Sequence, residues 1–280
     1  MLLVLGFWAF VIEPNRLVVR NYEIKVRNWS AKLEDFKIVA ISDIHGGSNF
    51  IDEAKIRQVV EKANQQDADI IVLLGDYVSQ QNFDRRKLKM PMETIADNLN
   101  GLRAKYGVYA VLGNHDGWYS IGKVRRELER VGLRVLENEA VSIEINGERL
   151  RIVGLPDSLS TNVPANKISN ARQGLERLEN KDGKVIVLTH NPDDIVSVTG
   201  NALVSQDFVL FLAGHTHGGQ CRFPIIGAPI VPSMHRQKYV AGHVRDRDVD
   251  MFITTGIGTS LIPVRFRVPP EISVLNIKAE

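Results

Sequence analysis

Residues 37–45 read KIVAISDIH, a short and nearly continuous apolar run closed by an aspartate and a histidine. A run this short, with no polar residue alternating through it, is the pattern of a strand buried on both faces. The same pattern recurs at Asp69–Leu74 (DIIVLL), Val108–Leu112 (VYAVL), Lys184–Thr189 (KVIVLT) and Phe208–Ala213 (FVLFLA). Helix-like stretches separate the runs, at Asp52–Gln65, Met92–Leu102, Ile121–Val131 and Ala171–Leu178. Strand and helix patterns in alternation predict an α/β fold. Upstream, Leu17, Val19, Tyr22, Ile24 and Val26 alternate with polar residues and predict one or two further strands. Val141, Ile143 and Ile145 face Leu150, Ile152 and Val153 across Asn146-Gly147, a pair suited to positive φ, so a hairpin is expected there and the sheet content is mixed.

The chain has 280 residues, 35 Lys+Arg against 33 Asp+Glu, a net charge of +2 and 44% hydrophobic residues. That describes one ordinary globular domain or two small ones, able to fold without a disulfide or structural metal, so a bound metal would be functional. The near-balance of charge gives no broad basic face and argues against nucleic acid as a partner. The densest basic run, Arg85, Arg86, Lys87 and Lys89, has only Phe83 as an interleaved aromatic. Cys221 is the only cysteine, which rules out an internal disulfide. No repeat, low-complexity tract or composition break divides residues 16–280, which are expected to form one domain. Residues 1–12 read MLLVLGFWAFVI, apolar but shorter than the roughly 20 residues a spanning helix needs. Trp8 and Phe10 beside the polar break at Glu13 resemble an interfacial end. The expectation is an apolar membrane-associating segment over residues 1–15 and a membrane-associated protein, with a buried first strand as the alternative.

Metal-type side chains follow each of the five buried runs. Asp43 and His45 follow the first, Gly75-Asp76 the second, Gly113-Asn114-His115-Asp116 the third, His190 the fourth and Gly214-His215-Thr216-His217 the fifth. Strand carboxyl ends are where ligands bind in open α/β sheets, so these groups can converge. Five of the seven histidines lie in these segments. Singly, each has a bland reading: Asp76 can cap a helix, His190 before Asn191-Pro192 can be a helix-entry residue, and an isolated DxH means little. Asp43 and His45, two apart, project to the same side in extended geometry. His215 and His217 are followed by Gly218 and Gly219, whose missing side chains allow close approach to a ligand.

In this order, DxH, GD, GNHD, a lone His and GHTH resemble the five motifs of the calcineurin-like metallophosphoesterases. The longer GHTHGGQ and the tail GIGTSLIPVRFRVPPEI resemble its YaeI-like and YkuE-like membrane-associated branch, where an N-terminal apolar segment is usual. The resemblance implies a four-layer α/β/β/α sandwich of mixed sheets and a dinuclear centre. One ion would be held by Asp43, His45 and His217, the other by Asn114, His190 and His215, with Asp76 bridging. Imidazoles mixed with hard oxygens suit Mn²⁺, Fe or Zn²⁺ rather than Mg²⁺ or Ca²⁺. A hydroxide shared by the ions is the implied nucleophile, attacking a phosphodiester or pyrophosphate without a covalent enzyme intermediate. His115 would protonate the leaving group or stabilise its charge, and Asp116 would orient His115. The segment Cys221–Val231, apolar beside the site, together with Arg222, Arg236 and Lys238, suits a lipid-linked substrate such as UDP-2,3-diacylglucosamine of lipid A synthesis. The alternatives are a general phosphodiesterase or phosphomonoesterase, a nuclease, or a non-catalytic metal-binding scaffold. The last is disfavoured because no motif is broken.

Overall fold

All five apolar runs are strands in the computed structural model, which describes residues 2–81, 84–159, 174–179, 182–195, 208–246 and 249–280. Along the chain the strands are β1 (Val18–Val26), β2 (Phe36–Ile41), β3 (Ile70–Leu74), β4 (Gln80–Gln81), β5 (Asp84–Leu88), β6 (Val108–Val111), β7 (Arg134–Val135), β8 (Glu139–Ile145), β9 (Glu148–Gly154), β10 (Lys184–Leu188), β11 (Phe208–Ala213), β12 (Gly242–Asp246), β13 (Val249–Ile253) and β14 (Glu271–Ala279). The α-helices are α1 (Leu2–Phe7), α2 (Glu13–Asn15), α3 (Glu53–Asn64), α4 (Met92–Leu99), α5 (Asn114–Tyr119) and α6 (Ile121–Arg130). One six-stranded sheet runs β1-β14-β2-β3-β6-β7 and the other β12-β13-β11-β10-β9-β8. Parallel pairs dominate both, but β14 pairs antiparallel with β2, β12 with β13 and β8 with β9. The hairpin turn expected at Asn146-Gly147 is there, with φ of 52° and 75°.

Strand alternation sorts the apolar side chains into layers. Val39, Ile41, Ile71 and Leu73 meet Ile56 and Val59 of α3, Ile95 and Leu99 of α4, and Val124 and Leu128 of α6. The intervening residues Ile38, Ala40, Ile70, Val72 and Leu74 face Leu150, Ile152, Ile186, Leu188 and Leu210 of the second sheet. The far side of that sheet contributes Val153, Val185, Val187 and Phe211, packed with Leu175 and Ile195. The result is the four-layer α/β/β/α arrangement. Asp52 caps α3 by accepting the Lys55 N–H at 2.8 Å. Helix α4 stops at Leu99 rather than Leu102 because the backbone turns extended at Asn100, ahead of Gly101 at φ 96°. Of the helix expected over 171–178, residues 171–173 lie outside the described residues and 174–176 are helical.

The expectation of a membrane-associated protein is corrected, and so is the alternative of a buried first strand. Residues 2–15 are helical, not a strand, with a wider π-type turn over Trp8–Ile12 between α1 and α2. No helix among the described residues is long and apolar enough to cross a membrane; fourteen helical residues reach about 21 Å against a hydrocarbon core of about 30 Å. The half nearest the domain is docked on it. Ala9, Glu13 and Pro14 are buried, the Arg265 N–H donates to the Ala9 carbonyl at 3.0 Å, and the Trp8 indole N–H, expected at an interface, donates to Glu13 at 2.7 Å.

Candidate metal centre

The centre is assembled where strand ends of the two sheets meet. Asp43 and His45 follow β2, Asp76 follows β3, Asn114 opens α5 after β6, His190 follows β10, and His215 and His217 follow β11. All seven side chains are buried. Ligand atoms of Asp43, His45 and His217 lie within 4.8 Å of one another, as do those of Asp76, His190 and His215. The Asn114 Oδ1 lies 3.2 Å from His190 Nε2, and Asp76 Oδ2 lies 3.3 Å from that nitrogen and 3.6 Å from His45 Nε2, between the two groups.

The backbone conformation that achieves this differs from the extended DxH expected above. Asp43 and His45 have φ of 53° and 49°, Asp76 58°, and His215 and His217 70° and 51°. Side chains of these types enter the left-handed region at a cost of about 1 kcal/mol or more each, and such residues gather at functional sites. Close approach by glycines makes the arrangement possible: a Cβ on Gly113 would lie 2.3 Å from Asp76 Oδ1, and one on Gly214 2.8 Å from Asp43 Oδ2. Gly218 and Gly219, expected to admit a ligand, instead admit Thr255, Val268 and Ala228 of neighbouring segments.

Hydrogen bonds determine which way the rings face. Nδ1 of His45 lies 3.2 Å from the Val78 carbonyl and Nδ1 of His190 2.7 Å from the Leu74 carbonyl. A carbonyl only accepts, so in both rings Nδ1 carries the proton and Nε2 turns inward. His45 Nε2 then faces His217 Nε2 at 3.2 Å, and His190 Nε2 faces His215 Nδ1 at 3.2 Å. The buried Asp43 Oδ1 has no hydrogen-bond donor, although its partner Oδ2 accepts the His215 N–H at 3.0 Å. Burial, the leading influence, holds His45 and His215 down at about 3 and lowers His217 as well, which keeps these rings neutral. Burial alone would push the Asp76 carboxyl up, but the His190 imidazole, itself raised against burial well above its ordinary value by this carboxylate, leads the influences that hold it well below the usual range. Buried imidazole nitrogens and carboxylate oxygens that converge in this way fit divalent cations.

His115 stands at the edge of this cluster. Its main-chain N–H donates to Asp76 Oδ1 at 2.8 Å, and its ring packs edge-on to His45 and tilted on Trp118. Asp116 does not orient it. Asp116 Oδ2 accepts the N–H groups of Asp76 and Gly113 at 2.8 and 2.9 Å, and Oδ1 those of Tyr77 and Val78 at 2.9 and 3.2 Å. That carboxylate staples the Gly75–Val78 loop to the start of α5. The group on His115 Nδ1 is Gln80, whose Oε1 lies at 2.6 Å while its Nε2 donates to the His115 carbonyl at 2.8 Å. Two further residues escaped sequence reading. Trp118 follows a glycine inside α5, and Arg265, wholly buried, donates to the carbonyls of Thr255, Gly256, Gly258 and Val268 behind the Asp43–His45 segment.

Residues 36–219 match the family model of the calcineurin-like phosphoesterases. The chain is 26% identical to YkuE, an uncharacterized metallophosphoesterase of Bacillus subtilis, across 97% of this chain and 89% of that protein. It is 31% identical to the phosphodiesterase YaeI of Escherichia coli, across 86% of this chain and 82% of that protein. A solved dimetal phosphatase from Danio rerio superposes with a TM-score of 0.49 at 13% identity, over 80% of this chain and 88% of that one. Five motifs in order, a two-sheet sandwich that gathers them at its strand ends and a family match over most of the chain agree: this chain belongs to the calcineurin-like phosphoesterases and is a metal-dependent hydrolase of phosphoric esters.

Proposed function

We propose that residues 16–280 form a dinuclear phosphohydrolase acting on a phosphodiester or pyrophosphate. The observation that carries it is the pair of inward-facing nitrogen and oxygen clusters on either side of Asp76. Asp43, His45 and His217 would hold one cation and Asn114, His190 and His215 the other, with Asp76 serving both. Bound there, such ions supply charge to the phosphoryl oxygens and lower the pKa of water so that a nucleophile exists at neutral pH.

The remaining work falls to the chain itself. The Gln80 amide is oriented by its own donation to the His115 carbonyl, so its oxygen faces Nδ1 and Nδ1 carries the ring proton. Nε2 is therefore the free position of the neutral ring: once a second proton is taken up there, the imidazolium gives it to the leaving oxygen or stabilises that oxygen's charge. Asp116 fixes the loop that bears Asp76. Cys221, whose thiol burial pushes up, lies outside the cluster and offers no competing nucleophile.

The finer reading is a lipid-linked substrate. Phe223, Ile225, Ile226, Ile230 and Met234, in the segment after His217, are exposed rather than packed into the domain, as are Leu261 and Ile262. Met234 is tied to the loop after His190, its N–H donating to Asp193 at 2.8 Å, so the apolar rim lies beside the centre and suits an acyl chain. UDP-2,3-diacylglucosamine, with its pyrophosphate and two acyl chains, is a substrate of this shape.

The test is hydrolysis of bis-p-nitrophenyl phosphate by protein reconstituted with Mn²⁺, with metal counted on the same sample. Two ions per chain and turnover that vanishes in Asp76→Asn are expected. Fewer than two ions under metal excess, or full turnover in Asp76→Asn, overturns the reading.

A further inference from the structure

The β4–β5 hairpin stands over His115, and the chemistry above uses only its Gln80. Strand β5 carries Arg85, Arg86 and Lys87 on an exposed edge, with Lys89 just beyond it. The hairpin is pinned to the loop after β3, because the Lys89 N–H donates to the Ser79 carbonyl at 2.8 Å. Arg85 lies over the Trp118 ring, its guanidinium carbon 4.7 Å from the centroid. Trp118 in turn lies 4.6 Å from the His115 ring, and His115 4.7 Å from His45. A cation is thus held at the end of a short stack of rings that begins at the candidate metal ligands.

Its surroundings leave that cation available. Among the described residues no carboxylate lies within ion-pair distance of Arg85, whereas its neighbour Lys87 has Asp84 at 3.9 Å. Packing on an aromatic face uses the flat side of a guanidinium and leaves its edge N–H groups free for an oxyanion. Asp116 and the Asp76 Oδ1 accept backbone N–H groups, the Asp76 Oδ2 faces His190 at 3.3 Å, and a neutral amide backs His115. This flank therefore offers a departing group donors and positive charge.

Resting on the phosphohydrolase reading, we propose that Arg85 binds an anionic leaving group and that the substrate class is pyrophosphate-linked diesters. Water oxygen bonds to the attacked phosphorus and the bond from that phosphorus to the bridging oxygen breaks. The electron pair stays on the departing phosphate, whose added negative charge falls beside Arg85, and the protons of water pass to solvent. A charge-assisted hydrogen bond of this kind is worth about tenfold or more in binding.

The test compares kcat/KM for UDP-glucose, which has the pyrophosphate without acyl chains, with that for bis-p-nitrophenyl phosphate, which has a single phosphorus. In Arg85→Met, which keeps an apolar contact with Trp118, the ratio of the two should fall about tenfold, and Arg85→Lys should recover part of it. Lys87→Met removes the same charge from the same strand and should leave the ratio near wild type. An unchanged ratio in Arg85→Met, or an equal fall in Lys87→Met, overturns the assignment. So does a wild-type protein that cleaves bis-p-nitrophenyl phosphate yet is neither turned over nor competitively inhibited by millimolar UDP-glucose. A wild-type protein inert toward both esters sinks the phosphohydrolase reading, and this proposal with it.

Discussion

Replacing Arg265 with methionine removes a guanidinium that holds four main-chain carbonyls at once. Nε donates to Gly258 at 3.1 Å, Nη1 to Val268 at 3.0 Å, and Nη2 to Thr255 and Gly256 at 3.0 and 3.2 Å. Burial pulls this guanidinium down to about 10, so it remains a cation at neutral pH. The segment it holds bears on the metal loop: Ile257 and Gly258 donate to the Ser42 and Asp43 carbonyls at 3.0 and 2.6 Å, and a Cβ on Gly256 would lie 2.8 Å from the Asp43 Cβ. Gly256 keeps the Glu271 N–H at 3.0 Å, so three carbonyls lose their donor at about 1–3 kcal/mol each, and relief of the buried charge returns part of that, leaving a net loss of about 3–5 kcal/mol. For a chain of this size the melting temperature should fall by about 10 °C. Urea unfolding of metal-free protein measures the first figure and calorimetry the second. Arg265→Lys, with three donors in place of five, should fall between. A loss below about 1 kcal/mol in Arg265→Met, with metal affinity unchanged, would refute the account of Arg265 as the support of the Asp43–His45 segment.

Three other perturbations discriminate equally well. His115→Ala should keep the metal content and reduce turnover most for esters with poor leaving groups; equal losses across a series of substituted phenyl esters would remove the proton-transfer role. Asp116→Ala, which strips the acceptor from four buried backbone N–H groups, should destabilise the metal-free protein by about 3 kcal/mol or more, and a change within 0.5 kcal/mol would show that the staple is not needed. Burial pushes the Asp250 carboxyl up, but donors from His243, the Arg27 backbone and Arg245 outweigh it and bring it from 3.8 down to about 2. A depressed carboxyl contributes stability that is complete above its unfolded value and lost as pH falls through the folded one. About 2 kcal/mol should therefore disappear between roughly pH 5 and pH 2, and Asp250→Asn should lose that part of the slope in acid titration of unfolding.

Continuous apolar runs made the sheets legible because a strand buried on both faces needs little else to announce it, and β2, β3, β6, β10 and β11 start and stop within about one residue of those runs. Elements whose stability comes from distant partners were not legible. The β4–β5 hairpin has polar and basic residues throughout, and its place depends on Ser79, α5 and the loop after β2. Helix α5 reads as a turn because Gly113 and Gly117 bracket its first residues, whereas the Asp116 side chain, bonded back to the Gly113 N–H, starts it as a helix. The N-terminal segment reads as membrane-associating because its pattern is apolar on every side. What settles it on the domain is a buried glutamate and one backbone hydrogen bond to Arg265, some 250 residues away.

At the centre the identities of the ligands were legible, but the geometry that joins them was not. Pairs such as Asp43 and His45 would share one side of an extended strand, yet five of the seven ligand residues stand at positive φ. Nothing in a local pattern requires that conformation. It persists because the surrounding structure over-determines it: the Gly75 carbonyl takes the Asp43 N–H, the Asp76 carbonyl takes the His45 N–H, and Gly256 and Gly258 close over both side chains. The same reasoning explains why Gln80 was missed while Asp116 was over-read. A carboxylate adjacent in sequence to a histidine invites pairing with it, but adjacent residues at the start of a helix point apart. Asp116 turns to the backbone it must cap, and His115 turns to the hairpin, where the next polar side chain within reach is an amide 35 positions upstream. Orientation at this site is therefore a property of the loops between strands, so changes in Arg265, Asp116 or Gln80 should disturb the chemistry while leaving every ligand in the sequence intact.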